Sequence, residues 1–397
     1  MIKGAFPVNF SHKLDAFEAS IFTELLEAKL ALRAKGMDTI DLSIGTPDLT
    51  PPEHVMRAIS EACMEPKNYI YAVKDRPQLL ETVAAWYQRR FGVTLDPAKQ
   101  IVSLLGSQDG LAHLSMALCD PGDVVLVPDP CYPIFADGPK LNGCDVHYMA
   151  QPAENGYVID FDLIDPELAD RAKLMVVSYP NNPVASVAYD GFYEKLVAFA
   201  KKHDIAVLHD NAYSDLTFDD YHCGSFLETP GAMEVGIEFN SLSKTYSMAG
   251  ARIGFALGNE EMIKRLKSLK SNIDFGCFIP VQLGAEAALN GPQDYVLKMR
   301  ATYQRRRDIL IDGLAEAGWS IVKPKATMFV WAKIPQGYAS ARAFAYELME
   351  KTGVICVPGT AFGPGGEGHV RMALVQSEQT LAEAVRRIAA SGMIRKG

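Results

Sequence analysis

A chain of 397 residues is longer than one small hydrophobic core organises, so two domains are expected. Its formal net charge of −9 leaves no surplus of Lys and Arg to neutralise phosphates, which argues against nucleic-acid binding. Seven scattered cysteines with no C-x-x-C pair fit free thiols rather than a disulfide frame or a zinc site, and no apolar run suits a membrane span or the core of a signal peptide, so the expected location is the cytoplasm.

Residues 1–20 show no clear periodicity and read as an arm. A helix is expected from about Ser20 to Lys35, with Leu25, Leu26, Leu30 and Leu32 near helical spacing and Gly36 as its stop. DTIDLSIGTPDL then reads as a short strand entering a turn. There Gly45 either lets the backbone approach a ligand closely or simply permits the turn. Tyr69 and Tyr71 precede a strong amphipathic helix. The strand IVSLLGS runs into Gly106, Ser107, Gln108 and Asp109, which open another helix. Backbone N–H groups at such a start bind phosphate, although a plain N-cap is the competing explanation for Ser107.

The strand DVVLVPDPCYPIF presents Tyr132 after a proline-rich turn, placed to stack on a ring or merely to pack. LMVVSYPNNPV ends at Asn182-Pro183, FYEKLVAFAKKH is a helix, and IAVLHDNAY ends at Asp210 and Tyr213. Strands alternating with helices imply a mostly parallel sheet covered on both faces. Open sheets of this kind bind ligands outside the carboxyl ends of their strands, where all these polar residues fall.

Next comes SLSKTYSMAGARIGF, from Ser241 to Phe255. A lysine amine is a nucleophile toward carbonyls when its surroundings lower its pKa, and Lys244 sits among small hydroxyl residues. Ser241, Ser243 and Arg252 offer donors and a fixed positive charge to a phosphate. Together they read as an anchor for pyridoxal 5′-phosphate, with its aldehyde on Lys244. From about Asn290 the texture changes to a long charged helix followed by strands and helices of an α+β unit. The run Arg305–Arg307 reads as a solvated helix face. The expected division is 1–45 as arm and part of a small domain, 46–289 as a large cofactor-binding domain, and 290–397 as the small domain. Arg371, on the apolar strand HVRMAL, is an expensive place for a guanidinium unless an anion joins it, and a substrate carboxylate is the obvious one. A structural salt bridge is the other explanation. No metal site is expected.

S-x-S-K…R, HDNAY, YPNNP, DPCYP and HVRMAL, in this order and spacing, resemble the fold-type I pyridoxal-phosphate enzymes, specifically the class I/II aminotransferases, over nearly the whole chain. IDLSIGTPDL, GSQDGLAHL, EFNSLSKTYSMAG and SNIDFG are most similar to the bacterial LL-diaminopimelate aminotransferases, while CFIPVQ leans toward alanine–glutamate aminotransferases. The resemblance implies that Lys244 is catalytic. It places Asp210 on the ring nitrogen, Tyr213 and Asn182 on the phenolic oxygen, and Gly45, Asn182 and Arg371 on the substrate. It also implies a homodimer in which Tyr71, or else Tyr69, reaches the other subunit's phosphate.

Three stretches depart from the family pattern. Val184 and Ala185 follow Pro183 where a hydroxyl is usual, Ala251 replaces a Trp, and Arg76-Pro77 stands in a loop that lacks the usual glycine. The expected activity is ping-pong transfer of an α-amino group to a 2-oxo acid, with LL-diaminopimelate and 2-oxoglutarate as one possible pair. Alanine-, glutamate- or aspartate-type transfer is an alternative, and C–S β-lysis on the same fold a third. A DNA-binding regulator is disfavoured by the acidic charge and by the lack of room for a further domain. For the substrate side chain, Lys74, Arg76, Asn272 and Asp274 are all candidates.

Overall fold

The computed structural model describes residues 10–15, 17 and 21–395, so most of the segment read as an arm lies outside the described residues. The first long helix, Ile21–Ala34, forms where the apolar spacing places it, and Gly36 follows at φ +84°. Only Leu25 of its four leucines is buried, and Leu26 and Leu30 face outward. The next strand, β1 (Ile40–Asp41), pairs in parallel with a strand more than three hundred residues on, described below.

The central sheet has seven strands: β2 (Ile101–Leu104), β3 (Val124–Asp129), β4 (Asp145–Ala150), β5 (Ala172–Ser178), β6 (Ala206–Asp210), β7 (Gly236–Ser241) and β8 (Gly254–Gly258), in the order β2-β8-β7-β6-β5-β3-β4. The ladders from β4 through β7 are parallel, and β8 runs antiparallel to both β7 and β2. The apolar runs are nearly continuous because both faces are covered. Val125, Val127, Leu174 and Val176 pack toward Leu111, Leu114, Ile263 and Leu266 of the helices Ser107–Leu118 and Glu260–Ile273. The alternate residues Val124, Leu126, Met175 and Val177 join the other core, with Val83, Trp86, Phe192 and Leu196 of the helices Pro77–Phe91 and Phe192–His203. The parallel strands therefore all deliver their carboxyl ends to one edge.

Beyond the long helix Asp294–Glu316 come β9 (Phe329–Lys333), β10 (Val354–Ile355), β11 (Val357–Pro358) and β12 (His369–Ala373). β11, β12 and β9 form an antiparallel sheet that sets Arg371 opposite Trp331 and Val357, and β10 is the partner of β1. The fold is α/β with a mostly parallel central sheet.

One expectation is corrected. Arg306 and Arg307 are buried, and only Arg305 lies on the solvated face. Arg306 makes two bonds of 2.7 Å to Asp48, and Arg307 pairs with Asp219 and Asp308 while donating to the Pro324 carbonyl at 2.9 Å. Asp48 and Asp219 lie far away in sequence, so local charge counting misses them.

Asp48→Ala leaves the Arg306 guanidinium buried without its carboxylate and is expected to cost about 3 kcal/mol. Glu378→Ala removes a partly exposed partner of Arg305 and is expected to cost under about 1 kcal/mol. Denaturant midpoints of the two variants check both values.

Candidate active site

Lys244 lies in the turn Leu242–Thr245, entered directly from β7, with Ser241 as its N-cap accepting from the Ser243 N–H at 3.2 Å. Its amine donates to the Gly45 carbonyl at 2.8 Å and lies 5.9 Å from the centre of the Tyr213 ring. Burial, with the positive charges of Arg371 and Arg252, lowers its pKa to about 8, against a smaller opposing pull from Asp210. A substantial neutral fraction of the amine near neutral pH is what carbonyl chemistry requires. Asp210 ends β6, and its carboxylate accepts from the Ala212 N–H at 3.3 Å. Burial pushes its pKa up to about 6. Tyr213, on the loop that follows, is buried, with its hydroxyl pKa raised by that burial.

Arg371 is buried and has no carboxylate partner among the described residues. Its Nη1 donates to Asn182 Oδ1 at 3.0 Å and its Nη2 to the Ser43 carbonyl at 2.7 Å, while Nε has no partner. The guanidinium lies over Phe329 at 4.2 Å and over Phe362 at 4.6 Å. Burial lowers its pKa to about 10, so it remains a full cation. Among the described residues, then, no structural salt bridge accounts for Arg371. A desolvated cation with a free N–H is a site for an anion.

A third cluster forms where the helix Ser107–Leu118 begins. Its N-cap is Gly106, at φ +78°, so Ser107 is the first helical residue and not the cap. A Cβ on Gly106 would lie 2.4 Å from Arg252 Nη2, and one on Gly254 would lie 3.0 Å from the Ser107 nitrogen. The absence of side chains at these glycines thus lets the guanidinium and the helix start lie against one another, beside Ser241, which is paired in register with Gly254. Arg252, in the left-handed region at φ +55°, donates to the Ala249 carbonyl at 3.0 Å. Helix-start N–H groups, hydroxyls and one arginine gathered in one place suit a phosphate. Gln108 accepts from the Tyr132 hydroxyl at 3.0 Å, which fixes the Tyr132 ring beside this group. The donor set fits pyridoxal phosphate: an amine for the aldehyde, a buried carboxylate for the ring nitrogen, and an anion cradle.

Tyr71 stands apart from this group. It is 82% exposed, with its ring edge-on to Phe275 at 5.7 Å, and Tyr69 packs in the same manner on Phe278 at 5.4 Å. Of the candidates for the substrate side chain, Arg76 pairs with Glu286 at 2.9 Å and Asp274 with Lys270 at 2.9 Å, whereas Lys74 is exposed with no ion-pair partner among the described residues. Lys270 also sits between Asp274, Asp109 and His113, the described residues whose spacing suits a cation, and its ammonium occupies that position. Val184 packs with Leu25, Trp331 and Phe362 in an apolar cluster, which explains the missing hydroxyl. Phe329 carries no signal in the sequence. Its ring touches Gly45, where a Cβ would come within 2.5 Å, as well as Tyr213 and Arg371, and only strand pairing brings it there.

Residues 37–388 match the family described as aminotransferase class I and II. An LL-diaminopimelate aminotransferase of Moorella thermoacetica is 46% identical over 365 residues, covering 91% of this chain and 93% of that one. Another, of Dehalococcoides mccartyi, is 42% identical over 96% of this chain and 98% of its own. Among solved structures, substrate-bound BacF from Bacillus subtilis is similar with a TM-score of 0.93 at 36% identity, over 96% of this chain and 98% of that chain. A probable N-succinyldiaminopimelate aminotransferase from Thermus thermophilus gives 0.88 at 38% identity, over 94% of this chain and all of its own.

Protein stripped of any bound cofactor tests the lysine. Neutral amine accumulates as pH rises through the pKa, so trapping of a small aldehyde on Lys244 by borohydride is expected to climb to a plateau with a midpoint near pH 8. Surface lysines, with ordinary values, keep rising beyond about pH 10. Mass-spectrometric peptide mapping across pH distinguishes the two.

Proposed function

The chain belongs to the class I and II aminotransferases, whose cofactor is pyridoxal phosphate, and from that premise we propose that it transfers the α-amino group of LL-diaminopimelate to 2-oxoglutarate. The observation that carries the reading is the placing of Lys244 and the unmatched Arg371 in one buried site with Asp210. The choice of donor rests on the LL-diaminopimelate aminotransferases at 40–46% identity over nearly the full chain.

Ser107, Gln108, Ser241, Ser243 and Arg252 would hold the cofactor's phosphate, Asp210 its ring nitrogen, Tyr213 and Asn182 its phenolic oxygen, and Tyr132 one face of its ring. When bound, the cofactor supplies an aldehyde that condenses with amines and a ring that accepts electrons from the substrate Cα. Arg371 grips the substrate α-carboxylate and orients the Cα–H bond, with Asn182 holding the guanidinium and Gly45 leaving the approach clear. The neutral form of the Lys244 amine would take the proton from the substrate Cα, holding it at Nζ and giving it up again to complete the transfer. Tyr213, Phe329 and Phe362 exclude water from the charges.

The same reading includes a homodimer. Tyr69, Ile70, Tyr71, Val73, Phe275 and Phe278 form an exposed apolar patch, which a second copy of the chain would cover as its Tyr71 reaches the neighbouring phosphate. It also includes the division at residues 45 and 289, supported by the pairing of β1 with β10. A cytoplasmic location is supported by seven cysteines that are all free.

Mixed with LL-diaminopimelate, the yellow holoenzyme is expected to bleach to the pyridoxamine form and to recover its colour with 2-oxoglutarate. Faster bleaching by alanine, glutamate or aspartate, with diaminopimelate inert, overturns the donor assignment. Pyruvate and ammonia from cystathionine would instead indicate a lyase. Gly106→Ala, which drives a methyl group into Arg252, is expected to weaken cofactor binding at least about tenfold, read by dialysis and absorbance. Lys244→Ala is expected to lower turnover by about 10³-fold or more.

A further inference from the structure

On the face of β6 opposite Asp210 lies a charged group that the reaction does not touch. His209 precedes Asp210 in the strand, so its side chain points the other way, and it lies in register with Glu238 of β7. Both are fully buried, with His209 Nδ1 2.9 Å from the Glu238 carboxylate. Among the described residues, no lysine or arginine is within ion-pair distance of Glu238.

The hydrogens of this cluster can be assigned from its geometry. Glu238 Oε1 accepts from the Tyr87 hydroxyl and the Ser225 hydroxyl, both at 2.8 Å, and Oε2 accepts from the Phe226 N–H at 2.8 Å and faces His209 Nδ1. Ser225 Oγ accepts from the Leu227 N–H, so its single hydrogen goes to Glu238. Burial and the neighbouring carboxylate keep the Tyr87 hydroxyl protonated. Three donors other than His209 thus point at this carboxyl, and hydrogen bonds of that kind favour its ionised form, which then takes its remaining bond from a proton on His209 Nδ1. On the far side of the ring, His209 Nε2 is 3.0 Å from the Tyr193 hydroxyl, whose one hydrogen runs to the Tyr179 carbonyl at 3.4 Å. With its hydrogen on that carbonyl, the Tyr193 oxygen accepts from His209 Nε2. Both ring nitrogens donate, and an imidazole with two N–H bonds carries a positive charge.

We propose that His209 is an imidazolium held by Glu238 and Tyr193, and that it is a positioning residue for the reaction, keeping Asp210 ionised from behind the sheet. This rests on the reading of Asp210 as the partner of the cofactor's ring nitrogen. A charged neighbour is needed there, because burial works against the Asp210 carboxylate and His209 is the foremost influence opposing it, ahead of the Ala212 N–H and Lys244. Glu238 acts the other way but more weakly. The titratable groups around His209 are Glu238 from β7, Tyr193 from the helix Phe192–His203 and Tyr87 from the helix Pro77–Phe91. Those around Asp210 are Lys244, Tyr213 and Tyr132.

Nitrogen NMR of cofactor-free protein labelled at histidine tests the charge without any reaction. The His209 signals are assigned by their loss in His209→Asn or, should that variant not accumulate, by their shift in Tyr193→Phe. Protons on both His209 nitrogens at about pH 8 are expected. One nitrogen with the shift of an unprotonated imidazole overturns the proposal. The effect on Asp210 is read from the affinity of cofactor-free protein for pyridoxal phosphate as pH falls. His209→Asn, neutral but still able to donate to Glu238, is expected to raise the midpoint for loss of binding by about one pH unit. An unmoved midpoint overturns the positioning role. Asp210→Asn separates the two levels: affinity equal to wild type across the pH range would overturn the assignment of Asp210 to the cofactor, while the NMR result would still decide the charge on His209.

Discussion

The site depends on taking two cations out of water with no ion-pair partner in contact with either among the described residues. The partly buried Lys244 and the buried Arg371 lie within reach of one another's field, with Asp210 the carboxylate that pulls on Lys244. Desolvation and like-charge repulsion both act against an ammonium, so the lysine yields and becomes a nucleophile. The guanidinium cannot yield in the same manner, because its intrinsic pKa is too high, and it stays as a standing demand for an anion. In the proposed function, one field thus serves both a reactive amine and a carboxylate site.

The scaffold makes this arrangement possible through strand direction and aromatic packing. Parallel strands bring Asn182, Asp210 and Lys244 to one edge from three separate crossovers. Arg371 arrives from the antiparallel sheet, and Gly45 from the segment after β1, which is anchored by its pairing with β10. Phe329 fills the junction, touching the backbone that accepts from Lys244 and lying under the guanidinium. Asp48 and Arg306 clamp the same segment to the long helix. Behind the sheet, the saturated Glu238 carboxylate provides a fixed charge pattern on which the front face draws.

Most of the candidate site was legible in the sequence because it lies at strand ends, where an apolar run stops and one polar residue follows. Lys244, Asp210, Tyr213 and Asn182 are of that kind, while Arg371 stood out as a guanidinium inside an apolar strand. What was not legible depends on contacts between distant segments. Arg306 and Arg307 looked solvated because their acids, Asp48 and Asp219, come from elsewhere in the chain. For Ser107 the sequence left a plain cap as the competing explanation, and the backbone of Gly106, at φ +78°, takes that position instead. Phe329, Ser43 and Glu238 carried no local signal, since each acquires its role only through strand register. Arg76 and Asp274 looked like substrate ligands and are committed to Glu286 and Lys270.

Substrate binding as described here rests on the unmatched charge of Arg371, and one comparison tests it directly. Wild-type holoenzyme and Arg371→Gln would each be mixed with the donor amino acid and with the amine that lacks its α-carboxylate, following loss of the yellow band. Wild type is expected to favour the amino acid strongly. In the variant the amino acid's kcat/KM is expected to fall by about 100-fold or more, with reaction of the amine nearly unchanged. An undiminished preference for the amino acid in Arg371→Gln would mean that the carboxylate is bound elsewhere, and that the buried guanidinium serves only the fold.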